Sequence, residues 1–141
     1  MRAVLELRPA TAADLPAVLD FWQDAAENNS RPADSTTALQ ALLERDPHAL
    51  VLALVDEQIA GTLIAGFDGW RYHLYRLAVA PDRRRQGIAT ALVEHAEERF
   101  KALGATRADA MVLDENTTAH SAWQARGYRL QENWSRWVKP L

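Results

Sequence analysis

A buried-type strand that runs into a basic, glycine-bearing turn and then into a long amphipathic run constrains this chain more than any other stretch. Residues 77–103 read Leu77-Ala78-Val79-Ala80-Pro81-Asp82, then Arg83-Arg84-Arg85-Gln86-Gly87-Ile88-Ala89-Thr90, then an apolar-periodic segment to Leu103. The strand is expected to end at Pro81 and a helix to begin at about Gly87. The first N–H groups of a helix have no partner within it and carry partial positive charge. Beside a Gly that lets a ligand approach the backbone, they make a natural phosphate cradle. Neighbouring Arg side chains would grip phosphate oxygens bidentately.

The spacing matches neither common nucleotide loop: there is no Gly-x-x-x-x-Gly-Lys-Ser/Thr, and no Gly-x-Gly-x-x-Gly after a strand. It is Arg84-x-x-Gly87-x-Ala89, preceded by Leu77-x-Val79-x-Pro81. That pattern resembles the acyl-coenzyme A signature of the GNAT family of N-acetyltransferases, in which the turn binds the coenzyme's pyrophosphate. An ordinary strand-to-helix turn with a solvated charge cluster would look the same locally, so the rest of the chain has to decide.

Composition narrows the alternatives. At 141 residues the chain is expected to form a single domain, 1–141, with enough core to fold alone. Net charge is −3, so nothing global attracts nucleic acid or an acidic membrane, and Arg83–Arg85 is a local feature. Cys is absent, which removes disulfides, thiolate nucleophiles and thiolate metal sites. No run approaches membrane-spanning length, and Met1-Arg2-Ala3-Val4 lacks a signal-peptide core, so a cytoplasmic protein is expected.

In chain order, Val4–Arg8 is a strand stopped by Pro9, and Thr11 with Asp14 resembles a capping box. Leu15, Val18, Leu19 and Trp22 have helical spacing, to about Ala26, and a polar loop follows at 28–32. Ser35 can cap a second helix bearing Leu39, Leu42 and Leu43. Ala49–Val55 is a buried strand, Asp56-Glu57-Gln58 a tight turn, and Ile59–Gly66 the antiparallel return. Trp70–Val79 is the next strand, and the helix from Gly87 stops at Gly104. Arg107–Leu113 returns as a strand parallel to Trp70–Val79, because a helix separates the two. Thr117 or Thr118 caps a short helix ending at Gly127. Tyr128–Glu132 and Trp134–Val138 form a hairpin about Asn133. The expected class is α/β with the order β-α-α-β-β-β-α-β-α-β-β: a mostly antiparallel sheet with one splayed parallel pair. This is the element order of the GNAT fold. Ligands bind such sheets where parallel strands part.

A second segment strengthens the resemblance. Asn116-x-x-Ala119-x-x-Ala122-Trp123-x-x-x-Gly127-Tyr128 is similar to the family's Asn-x-x-Ala-x-x-x-Tyr-x-x-x-Gly-Phe. The resemblance implies that Asn116 contacts the coenzyme's pantetheine arm; otherwise it is a helix cap. It also implies that main-chain N–H groups of Val79 and of Gln86, Gly87, Ile88, Ala89 and Thr90 hold the coenzyme, with Arg84 and Arg85 beside them. An N–H near Leu77 or Ala78 would stabilise the thioester oxyanion. Trp123 departs from the family's Tyr, the general acid for the leaving thiolate, and Trp cannot supply a proton near neutral pH. It reads more simply as core or pocket wall. A thiol of pKa ~8.5 can leave as thiolate without a protein acid.

An attacking amine must be neutral, so a base is useful. His73 lies four residues before Leu77, where some family members place a Glu base; the alternative is a structural His. Tyr75 and Glu115 are further candidates. His48, His95 and His120 look like loop or helix-surface residues without metal-ligand spacing. Trp22, Trp70, Trp134 and Trp137 could form an aromatic acceptor pocket, although aromatics more often build core. Together these features imply an acetyl-coenzyme A-dependent N-acetyltransferase acting directly on an amine acceptor, as a monomer or homodimer, with no metal and no nucleic-acid or membrane partner. No acyl-enzyme is expected, since there is no Cys and no visible Ser-His-acid set. Two other readings are a non-catalytic acyl-coenzyme A-binding regulatory module, motivated by Trp123, and a nucleic-acid-binding domain using Arg83–Arg85, which the acidic balance opposes.

Overall fold

The Leu50–Val55 strand is buried at all six positions. The structure is a computed structural model that describes residues 4–25 and 33–141. The elements are β1 (Leu5–Pro9), α1 (Leu15–Ala25), α2 (Thr36–Arg45), β2 (Leu50–Val55), β3 (Gln58–Phe67), β4 (Tyr72–Val79), α3 (Ile88–Ala102), β5 (Asp109–Ala110) and α4 (Thr117–Ala125). The predicted end of the first helix at Ala26 and the polar loop at 28–32 lie outside the described residues. The chain divides into two units, Met1–Met111, with the sheet and α1 to α3, and Val112–Leu141, with α4.

In the first unit the sheet order is β1-β2-β3-β4-β5. The first three pairings are antiparallel and β4–β5 is parallel, as the intervening helix predicted. Leu50, Leu52 and Leu54 pack with Leu15, Val18, Trp22 and Leu39 of α1 and α2. Strand alternation sends Val51 and Ala53 to the opposite face. There α3 buries Leu92, Val93, Ala96 and Phe100. Gly61 permits this packing, because a Cβ there would stand 2.9 Å from the Ile88 Cγ2 methyl and 3.0 Å from the Leu92 Cδ1 methyl. The Arg99 guanidinium binds the Ala65 carbonyl and the Asp46 carboxylate, tying α3 to β3 and to the end of α2.

The first strand runs through Pro9, which pairs with Val51 instead of stopping it, while the cap and turn signals behaved as the sequence suggested. The Thr11 N–H donates to the Asp14 carboxylate at 2.7 Å, and Ser35 Oγ accepts from the Ala38 N–H at 3.0 Å. Val55 pairs with Gln58, leaving a two-residue turn with φ +51° at Asp56 and +66° at Glu57. This primed turn matches the twist of a hairpin.

Three further expectations need correction. The strand placed at Arg107–Leu113 is only Asp109–Ala110, because it follows β4 only opposite His73 and Leu74 before parting from it. The cap of α4 is Asn116, not Thr117 or Thr118: its side-chain oxygen accepts from the Ala119 N–H at 3.1 Å. The hairpin expected at Tyr128–Val138 has no strands, although a turn does form at Glu132–Asn133. Leu130, Trp134, Trp137 and Val138 all stay exposed, so no apolar face is buried. An isolated two-stranded hairpin is marginal without such burial.

Candidate active site

The site is built on an irregularity in β4. Thr62 pairs with Ala78, and Ile64 pairs with Tyr75, so Leu63 alone stands opposite both Arg76 and Leu77. This is a β-bulge, and Arg76 occupies it at φ +55°. The Arg76 side chain is buried, lies over the Trp22 ring at 4.8 Å and pairs with Asp34 just before α2. Thr62, also fully buried, donates from Oγ1 to the Arg76 carbonyl at 2.9 Å. It accepts from Trp22 Nε1–H at 2.8 Å.

Register fixes which main-chain groups face outward. The Ala80 N–H donates to the Ala60 carbonyl at 2.8 Å, which makes Ala60–Ala80 a hydrogen-bonded pair. Alternation then makes Gly61–Val79 a non-bonded pair and Thr62–Ala78 a bonded one. The Val79 N–H therefore points away from β3, and so does that of Leu77, while Ala78 is committed to β3. Because β5 leaves β4 at Leu74, this outer edge has no strand neighbour beyond that point among the described residues.

β4 runs directly into the basic turn. A short 3-10 turn at Pro81–Arg83 is followed by Arg85 at φ +64° and by Gly87 at φ +81° as the N-cap of α3. Arg84, Arg85, Gln86 and Gly87 are exposed. A Cβ on Gly87 would meet nothing within 4 Å, so the space before the helix is open. Alternating left-handed residues ahead of a helix turn successive N–H groups toward one point.

His73 and Tyr75 share a face of β4, with ring centroids 5.9 Å apart. His73 Nε2 lies 3.7 Å from Asp68 and Nδ1 lies 3.9 Å from Asp109. Backbone N–H groups of Arg71 and Trp70 hold the Asp68 carboxyl below its usual range, with His73 adding a smaller push. Tyr75 is 40% exposed. His48 and His95 are exposed. Of the tryptophans, Trp22 is sealed in the core, and Trp70 sits on a turn under the Arg71 guanidinium. Trp134 and Trp137 are exposed.

In the second unit, Asn116 spends its side-chain oxygen on the cap of α4. Trp123 is buried with its ring edge-on to Tyr128, centroids 4.8 Å apart. His120 Nε2 lies 2.8 Å from the Leu113 carbonyl, a structural contact. Glu115 is exposed. Among the described residues no group of three or more potential ligands could hold a metal, and no helix is long and apolar enough to cross a membrane.

A sequence model of the Acetyltransferase (GNAT) family matches residues 15–128. The chain belongs to the GNAT family. An acetyltransferase of Pectobacterium atrosepticum is 30% identical over 125 residues, covering 88% of this chain and 87% of that one. Among solved structures, the PaiA N-acetyltransferase of Thermoplasma acidophilum in complex with coenzyme A has a TM-score of 0.80 at 16% identity, over 92% of each chain. The ribosomal-protein-S18-alanine N-acetyltransferase of Escherichia coli has a TM-score of 0.71 at 21% identity, over 88% of this chain and 77% of that one.

This GNAT protein is thus an acetyl-coenzyme A-dependent N-acetyltransferase. Bound coenzyme supplies the acetyl group as an activated thioester. The residues present fit it: an open, glycine-capped helix start with exposed guanidinium groups suits a pyrophosphate. Thr62 and Arg76, which meet at the bulge, were not singled out from sequence, and Trp22 was considered only for an aromatic pocket. The one local hint is Thr62, a hydroxyl between Gly61 and the apolar Leu63-Ile64-Ala65 of β3.

Proposed function

We propose that the whole chain, 1–141, works as one acetyltransferase domain. It transfers acetyl directly from acetyl-coenzyme A to a primary amine of a small molecule or a protein N-terminus. The observation that carries this reading is the continuity of the outward N–H groups of β4 with the glycine-capped start of α3. In that reading the Val79 N–H and those of Gln86 to Thr90 hold the coenzyme, and Arg84 and Arg85 bind its phosphates. Leu77, rather than Ala78, supplies the oxyanion donor, because Ala78 faces β3. The family match runs through both units, which supports a single functional domain.

His73 is assigned as the base. Four strand residues place it roughly 13 Å along β4 from Leu77, so it acts through water. Tyr75, nearer the bulge, orients the amine. Asn116 and Trp123 are kept as coenzyme contacts on motif spacing alone, with Trp123 as a wall rather than an acid. The protein acts in the cytoplasm as a monomer or homodimer, without a nucleic-acid or membrane partner.

The test is calorimetric titration with acetyl-coenzyme A, coenzyme A and a nucleotide, followed by an amine panel read by thiol release. Micromolar coenzyme binding and turnover with at least one primary amine are expected. No binding at millimolar coenzyme would overturn the assignment of the cradle.

A further inference from the structure

We propose that Thr62 is a positioning residue for acetyl transfer, and that the buried relay from Trp22 through Thr62 to the Arg76–Leu77 peptide aims the Leu77 N–H. The inference rests on the reading that this N–H receives the thioester oxygen.

A peptide is planar and trans, so its C=O and N–H point in opposite directions. The carbonyl of Arg76 and the N–H of Leu77 belong to one such unit. Its carbonyl end is held on the β3 side by the Thr62 hydroxyl at 2.9 Å. Its N–H end must then point to the outer edge of β4. The direction of the hydroxyl is itself fixed. Trp Nε1–H can only donate, and it donates to Thr62 Oγ1 at 2.8 Å. The single Thr62 proton is left for the Arg76 carbonyl. The result is a chain of donors with one sense: indole, hydroxyl, peptide, outer edge. Aligned hydrogen bonds polarise one another, so the chain also strengthens the final donor.

The surrounding contacts suit this task. The bulge leaves the Arg76–Leu77 peptide outside the regular ladder, where strand pairing alone does not set its tilt. Arg76 is held at φ +55°, unusual for a residue with a side chain. Its guanidinium is clamped between the Trp22 ring and Asp34. Trp22 and Thr62 are both fully buried, so water cannot take over either bond.

The test compares Thr62→Val with Thr62→Ser. Val keeps the shape and removes the hydroxyl; Ser keeps the hydroxyl. Removing an oxyanion donor outright costs ~10²–10³-fold in kcat. A donor left in place but unaimed is expected to cost about 10- to 30-fold. Thr62→Val should therefore lower kcat by that factor, with the Kd for acetyl-coenzyme A changed less than twofold. Thr62→Ser should recover most of the loss. The carbonyl stretch of bound carbonyl-13C acetyl-coenzyme A should move toward its free value in Thr62→Val and not in Thr62→Ser. Should Thr62→Val fail to fold, Trp22→Phe carries the same readouts with a smaller loss. Folded Thr62→Val with wild-type kcat and carbonyl frequency would overturn the proposal. A Gly87→Trp variant separates the two failures. If it binds coenzyme normally, the cradle reading has failed. If it does not, while Thr62→Val is silent, a bound wild-type carbonyl stretch shifted from its free value means that only the relay has failed, and an unshifted one means that the oxyanion-donor reading has failed.

Discussion

Replacing Gly87 with Trp tests the cradle where its geometry is most explicit. Gly87 caps α3 at φ +81°, and a Cβ there would touch no protein atom within 4 Å. An L-residue held in this left-handed region costs about 1 kcal/mol. For a domain of this size that corresponds to a fall in Tm of about 3 °C. The indole has room on the protein side, so the fold should survive. It would fill the space before the first N–H groups of α3, which is where a pyrophosphate must sit. Each hydrogen bond between a backbone donor and a charged group is worth ~1.5–3 kcal/mol. Losing two of them predicts that coenzyme affinity falls about a hundredfold or more. Calorimetric titration gives the affinity and a thermal melt gives the stability. A variant that melts within a few degrees of wild type and binds coenzyme within about threefold of it would refute the cradle.

Three further outcomes are expected. His73→Ala should lower the rate near neutral pH by about 10²-fold; an unchanged rate would leave His73 a structural residue between Asp68 and Asp109. Trp123→Tyr should change kcat less than tenfold if thiolate departs without a protein acid, and a gain of ~10²-fold would show that its protonation is limiting. Asp14 is held at about 2, against 3.8 when unperturbed, chiefly by its hydrogen bond from Arg8. Its folded value is depressed, so its stabilisation is complete above about pH 4 and is lost as pH falls toward 2. Arg8→Ala should therefore cost about 1 kcal/mol in urea melts at pH 7, and the gap to wild type should narrow strongly as pH falls through about 2.

The sheet was legible because β2 is uniformly apolar and its neighbours are punctuated by proline, glycine and acidic turn residues. The strand-to-helix junction at 77–90 was legible because helix starts and phosphate cradles draw on the same few residue types. Two features escaped for physical reasons. A bulge depends on register between two strands, and no local signal in Leu77-Ala78-Val79 announces that Leu63 faces two partners. Trp22 and Thr62 are 40 residues apart, so their bond belongs to tertiary packing alone. The last segment failed in the opposite sense. Tyr128–Val138 has strand-like composition, but composition cannot provide the apolar face that a strand must lie against.

The turn between β2 and β3 points to an untapped reserve. Asp56 and Glu57 each sit at positive φ, a conformation that Asn-Gly adopts with less strain. This hairpin therefore holds its register through the buried strands on either side and in spite of its connector. Relieving both positions would raise the resilience of the whole enzyme by roughly 1–2 kcal/mol without altering the outer edge of β4. The other positive-φ residues with side chains, Arg76 and Arg85, belong to the candidate site, so this turn is the place where strain can be relieved while that site is left as it is.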